Sequence, residues 1–181
     1  METIRAYGYD WSVTYAKDWD VSTDVMRLLV ARPQERNPRR PTQFALAQTS
    51  AFSKVSVECD IRPAGNSMIV VYAWQSPSKF NYAHLSTDAA KSVEVHNGIF
   101  HVFGGDRVRI SPLDGPPSFT KADWHSVKLS FDGETGQVDV LVNGKTNPSL
   151  SAIDWSLRSG RVGLGSFFEK GDFRSVAIRP F

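Results

Sequence analysis

Three histidines, His84, His96 and His101, fall in one stretch of the chain together with Tyr72, Trp74, Tyr82, Glu94, Asn97, Arg107 and Arg109. Aromatic rings pack on the apolar C–H faces of sugars, and imidazole, guanidinium, amide and carboxylate groups hydrogen-bond hydroxyls in oriented pairs. The set is suited to binding carbohydrate. His84, His96 and Glu94 also qualify as acid–base groups of an enzyme on sugars, a hydrolase or a lyase with a tyrosine as proton donor. Three imidazoles on adjacent strands would suit zinc. No compact ligand spacing accompanies them, however, and no metal is expected.

Strands must position these groups. In Lys54–Arg62, Val55, Val57, Cys59 and Ile61 alternate with Lys54, Ser56, Glu58, Asp60 and Arg62, which predicts one dry and one wet face. His125–Phe131 and Gln137–Val142 repeat the pattern. In Met68–Trp74 the expected inward set is Ile69, Val71 and Ala73, leaving Tyr72 and Trp74 outside. In Phe80–Ser86 it is Ala83 and Leu85, leaving Tyr82 and His84 outside. A strand over Ser92–His96 would present Glu94 and His96, and Arg107 and Arg109 alternate with Val108 and Ile110. Ile99–Phe103 is apolar on both sides, so the side taken by His101 stays open.

Turn signals separate these runs. Asn97-Gly98 predicts a type I′ hairpin with Asn97 at its tip beside His96, and Asn143-Gly144 marks another reversal. Helix is nearly absent from the pattern, with at most one short turn over Ala152–Leu157. About a dozen strands and no linker, repeat or low-complexity tract predict a single all-β domain over residues 1–181, a two-sheet antiparallel sandwich. Arg32–Pro41, with three prolines and four arginines, reads as a long surface loop.

Composition narrows the partners. A formal net charge of +2 gives no field that gathers nucleic acid, and no aromatics interleave the arginines of Arg32–Pro41. No apolar run approaches the roughly 20 residues of a membrane span. The single cysteine, Cys59, rules out an intrachain disulfide. Met1-Glu2-Thr3-Ile4-Arg5 lacks the basic start and apolar stretch of a secretion signal. The chain therefore reads as cytoplasmic as it stands, or as secreted with its leader removed. Oligomeric state is left open.

The C-terminal third carries a recognisable pattern. Trp124-His125-Ser126-Val127-Lys128-Leu129 is followed by Gly136-Gln137-Val138-Asp139-Val140-Leu141-Val142-Asn143-Gly144. Gly160-Arg161-Val162-Gly163-Leu164-Gly165-Ser166 and Phe173-Arg174-Ser175-Val176-Ala177-Ile178 come after it. This resembles the concanavalin A-like lectin/glucanase superfamily, in its laminin-G-like and bacterial glycoside-hydrolase-associated (3-keto-disaccharide hydrolase-like) branch. The resemblance implies a jelly roll whose concave face would carry the Tyr, Trp, His and Arg set. Two departures bear on function. Relatives that bind calcium carry Asp where Arg174 stands, and Asp172, two residues earlier, could only partly substitute. A structural calcium is therefore a minor expectation, and no other cofactor is implied. Relatives that cleave glucans carry Glu-x-Asp-x-x-Glu, whereas Glu58-Cys59-Asp60-Ile61-Arg62-Pro63 puts proline at the third acid and leaves the acid/base pair incomplete.

Three functions follow as expectations. The first is a carbohydrate-binding module, the second a sugar-acting enzyme using the same face, and the third a protein-binding laminin-G-like module working through its loops. The competing account of Tyr72, Trp74 and Tyr82 is that they pack under a loop such as Arg32–Pro41.

Overall fold

The computed structural model describes residues 1–33, 37–88, 95–120 and 122–181. The strands are β1 (Glu2–Ala6), β2 (Tyr9–Val13), β3 (Trp19–Val21), β4 (Met26–Leu28), β5 (Gln43–Ala47), β6 (Lys54–Pro63), β7 (Ser67–Ser76) and β8 (Lys79–Ser86). They continue as β9 (Gly98–Phe103), β10 (Arg107–Arg109), β11 (His125–Asp132), β12 (Gln137–Val142), β13 (Lys145–Ile153), β14 (Arg161–Ser166) and β15 (Gly171–Pro180). Two antiparallel sheets form a sandwich. One has the order β1-β2-β5-β14-β7-β8-β9-β10, the other β13-β12-β11-β6-β15-β4-β3.

Alternation fixes the seven-stranded sheet. Register pairs Val127 with Cys59, Leu129 with Val57 and Phe131 with Val55, so the apolar rows of β6 and β11 line up on one face. A slip of one residue would turn every one of them to solvent. Across the sandwich, Phe131 meets Tyr72 of β7 with ring centroids 5.0 Å apart. Asn143 and Gly144, at φ 52° and 72°, make the tight β12–β13 turn that their dipeptide predicts.

The central strand β7 departs from expectation. Met68, Val70 and Tyr72 join the core between the sheets, and Ile69 and Val71 lie in a second apolar cluster on the outer side. Tyr72 is therefore an interior residue and not part of an open face. The reason is physical: β7 is apolar on both sides, so alternation carries no information about which side is inward. A bulge at Ala73 (φ 50°) then puts Ala73 in the core as well and returns Trp74 to the outer cluster.

Other elements differ in detail. Ala152 and Ile153 complete β13 instead of starting a helical turn, and Leu157 drops into the core. Asp154 there closes a polar turn by accepting the Ser156 N–H at 3.0 Å. Most of the expected strand Ser92–His96 lies outside the described residues, and His96 itself is not in a strand. Asn97 has no positive φ and forms no I′ turn; Gly98 simply opens β9.

Of the stretch Arg32–Pro41, residues 32–33 and 37–41 are described, and both ends are tied down. At its start the Arg32 guanidinium donates to the buried Asp18 carboxylate at 2.7 Å. At its end the Arg107 N–H of β10 donates to the Arg39 carbonyl at 3.1 Å. Four residues later the chain enters β5, which is separated from β10 in the sheet by β14, β7, β8 and β9. Residues 37–41 thus form a strap across the outside of the eight-stranded sheet.

Close backbone approach makes Gly160 indispensable. It bridges Phe52 and faces the Ala73 bulge, where an added Cβ would lie 2.2 Å from the Ala73 carbonyl carbon. Gly160→Ala is expected to lower stability by roughly 1–3 kcal/mol, the usual overpacking range. Gly105→Ala, whose Cβ would meet nothing nearer than 4.0 Å, should change it little. Urea unfolding of both variants measures the contrast.

Candidate functional site

The outer face of the eight-stranded sheet is floored with apolar side chains. Phe80 and Tyr82 alternate with the inward Ala83 and Leu85, and Phe100 and Val102 alternate with the inward Ile99. Tyr82 stacks on Phe100 at 5.3 Å and 13°. Phe167, in the β14–β15 turn, folds back over this floor and lies parallel to the His84 ring at 5.8 Å and 8°. Tyr82 and His84 thus sit on the expected face, but they are sealed at 0% and 2% exposure.

Arg107 belongs to the roof. Its guanidinium lies 4.8 Å from both the Phe100 and Phe167 ring centroids, and Nη1 reaches the Tyr82 hydroxyl at 3.3 Å and His84 Nδ1 at 3.4 Å. Arg39 of the strap approaches the same Phe167 ring at 5.7 Å. His96 is next to His84, with centroids 5.5 Å apart, and its Nδ1 meets the Asp88 carboxylate. Burial, then Arg107, His96 and Arg39, pushes the His84 pKa well below its ordinary value.

Several expected contacts are used elsewhere. Asn97 is fully buried, and its side-chain oxygen accepts the Ser86 N–H at 2.9 Å and the Ser118 N–H at 3.2 Å; it braces loops and is no ligand contact. Arg109 is committed to Ser111, Asp114 and the Leu113 carbonyl. His101 shares the inward parity of Ile99 and bonds Asn81 through Nδ1 at 2.6 Å, so it extends from the opposite side of the sheet to His84. The three imidazoles do not converge. Glu94 lies outside the described residues.

The other half of this face is open. Trp74, Phe44, Pro41, Thr14, Thr42 and Arg40 line a groove of about 310 Å³. Arg161 stacks on the Trp74 indole at 4.5 Å and fixes its orientation. Trp74 Nε1 and Arg40 Nε are side-chain N–H donors with no acceptor among the described residues. Both are sealed from solvent, and each such orphan costs roughly 1–3 kcal/mol.

The outer face of the seven-stranded sheet is self-compensated. Glu58 pairs with Lys128 and Arg179, Asp60 with Arg174, and Asp172 with Arg62. Arg62 and Arg174 also cover Trp124, at 4.7 and 4.2 Å. Glu58 and Asp60 are therefore partners of cations on the neighbouring strands β11 and β15. Asp172, the carboxylate nearest the calcium position of the resembled family, is held by arginine. Among the described residues no three His, Cys, Asp or Glu side chains gather to hold a metal.

Comparisons with known proteins agree with this architecture. No protein-family model matches the chain, and no curated protein matches it by sequence. Among solved structures, the chain is similar to the carbohydrate-binding module CBM66 of Bacillus subtilis, with a TM-score of 0.62, 14% identity and coverage of 98% of this chain and 94% of that one. A candidate glycosyl hydrolase of Parabacteroides distasonis gives 0.65 and 12%, covering 94% and 99%. A seed lectin of Lotus tetragonolobus gives 0.51 and 12%, covering 90% of each chain. The fold is the concanavalin A-like jelly roll. At these identities the likeness is one of fold.

Sealed imidazoles predict an acid-sensitive protein. Above about pH 6.5, the ordinary histidine value, His84 is neutral folded and unfolded. Below it the unfolded chain takes a proton that the buried ring refuses, so stability falls as pH falls, by about 1.4 kcal/mol per pH unit for one such group. His96 and His101, also lowered by burial, act in the same direction. Urea unfolding between pH 7.5 and 5 should show His84→Phe flattening this slope by about one proton's worth; an unchanged slope would contradict the assignment.

Proposed function

We propose that this chain is a carbohydrate-binding module that engages a saccharide along the outer face of its eight-stranded sheet. The observation that carries the reading is the Trp74 groove. A part-exposed indole under Arg161, with Phe44 in the same groove, offers an apolar platform, and Thr14 and Thr42 rim it. Rings of this kind stack on the C–H face of a pyranose, whose hydroxyls would face the threonine rim. Similarity in fold to a carbohydrate-binding module, a lectin and a candidate glycosyl hydrolase supports a carbohydrate-associated role. Tyr82, His84, His96 and Arg107 adjoin the groove on the same face and extend the proposed binding region.

A glycan panel read by calorimetry tests the proposal. Trp74→Ala should weaken binding at least about tenfold, the equivalent of about 1.4 kcal/mol. Lys128→Ala, on the other sheet's outer face, should leave it unchanged. Binding that survives Trp74→Ala would remove the groove from the account.

One observation favours a second reading, an enzyme on sugars. The Asp88 carboxylate on His96 Nδ1 orients an imidazole in the manner of a general base. Turnover of a polysaccharide panel that is lost in His96→Ala would support it. Absence of turnover in the parent protein would leave binding alone.

A further inference from the structure

Two guanidinium groups meet over one aromatic ring with no carboxylate among the described residues paired to either. Arg107 and Arg39 both stack on Phe167. Neither forms an ion pair among the described residues, in contrast to Arg27, Arg32, Arg62, Arg109, Arg174 and Arg179. Two neighbouring carboxylates are engaged otherwise: Asp88 on His96, and Asp106 on the Arg107 backbone N–H at 2.9 Å. Like charges over a low-dielectric floor repel, and the repulsion is relieved by an anion placed between them.

Arg107 is built to receive that anion. Its Nη1 is directed to Tyr82 and His84, while Nε and Nη2 have no acceptor among the described residues. The sealed Phe100, Tyr82 and Phe167 rings lock the guanidinium plane. His84, 2% exposed, leaves its Nε2 unpartnered in the same cluster. A planar fork with two free donors matches the two oxygens of a carboxylate.

We propose that Arg107 and Arg39 form a subsite for the carboxylate of an acidic sugar, a hexuronate unit of a longer saccharide whose neutral surface lies on Trp74. This rests on the reading of the outer face as saccharide-binding, and it assigns the ligand's class. The strap joins the two places: Arg39 faces the anion subsite and Arg40, the next residue, lines the Trp74 groove.

The test uses trigalacturonate and its fully methyl-esterified form, which keep one sugar skeleton and differ in charge. Calorimetry of the parent protein should show the acid bound at least tenfold more tightly than the ester, the difference shrinking as sodium chloride is raised. Arg107→Gln should bring the ratio of acid to ester affinity down to about one. Arg107→Lys, which keeps charge but loses the fork, should recover only part of the gain, and thermal unfolding checks that both variants fold. Equal affinities for acid and ester, both lost in Trp74→Ala, would overturn the anion subsite and leave the saccharide reading standing. Failure of both forms to bind the parent protein would overturn the acidic-sugar assignment, whatever a panel of neutral glycans shows.

Discussion

A strand that is apolar on both faces has to be covered twice, and β7 and β8 impose that condition on this molecule. Their inner side is met by the seven-stranded sheet, where Tyr72 packs on Phe131. Their outer side, with Ile69, Val71, Phe80 and Tyr82 all at 0% exposure, needs a cover that no third sheet supplies. Phe167 folding back from the β14–β15 turn, the Arg107 side chain and the strap at residues 37–41 provide it. Leaving those four side chains in water would cost roughly 1.5–3 kcal/mol each, so the irregular segments are held by the same force that closes the core.

That cover is uneven, and the unevenness makes the site. Over β8 and β9 it is closed, and the groups beneath it are neutral or paired with one another. Over β5 and β7 it stops short, leaving Trp74 and Phe44 at the wall of a groove. The roof itself carries uncompensated charge, because Arg39 and Arg107, which shield the floor, have no carboxylate partners among the described residues. The other sheet's outer face offers the contrast: its acids and bases neutralise each other strand by strand, which suits solvent and leaves little for a ligand.

Legibility in the sequence followed the same division. Strands β6, β11 and β12 have one wet face, so alternation gave both their extent and their parity, and Asn143-Gly144 announced its turn. In β7 both faces are dry, parity vanished, and Tyr72 was misplaced although the strand itself was not. Tyr82 and His84 were assigned to the correct face, yet the strap above them, built from residues with no periodicity, could not be read as a roof. The competing account, aromatics packed under Arg32–Pro41, fails for Tyr72, which packs on Phe131 between the sheets, while Tyr82 is sealed beside Phe100 and Arg107. Asn97-Gly98 carries the usual hairpin dipeptide. Its amide serves Ser86 and Ser118 instead, partners that a local signal does not contain. Arg39, Phe44 and Phe167 were missed for the same reason: their role comes from long-range packing, and the only trace was an aromatic pair, Phe167-Phe168, in a turn.

Saccharide engagement of the eight-stranded sheet's outer face is most directly examined by mapping amide and indole shifts of isotope-labelled protein as an oligosaccharide ligand is added. The account predicts that the Trp74 indole N–H and the amides of Thr42, Phe44 and Gln75 move together and saturate at one affinity. Shifts confined to Glu58, Ser126, Lys128 and Leu141, on the far side of the sandwich, would contradict it.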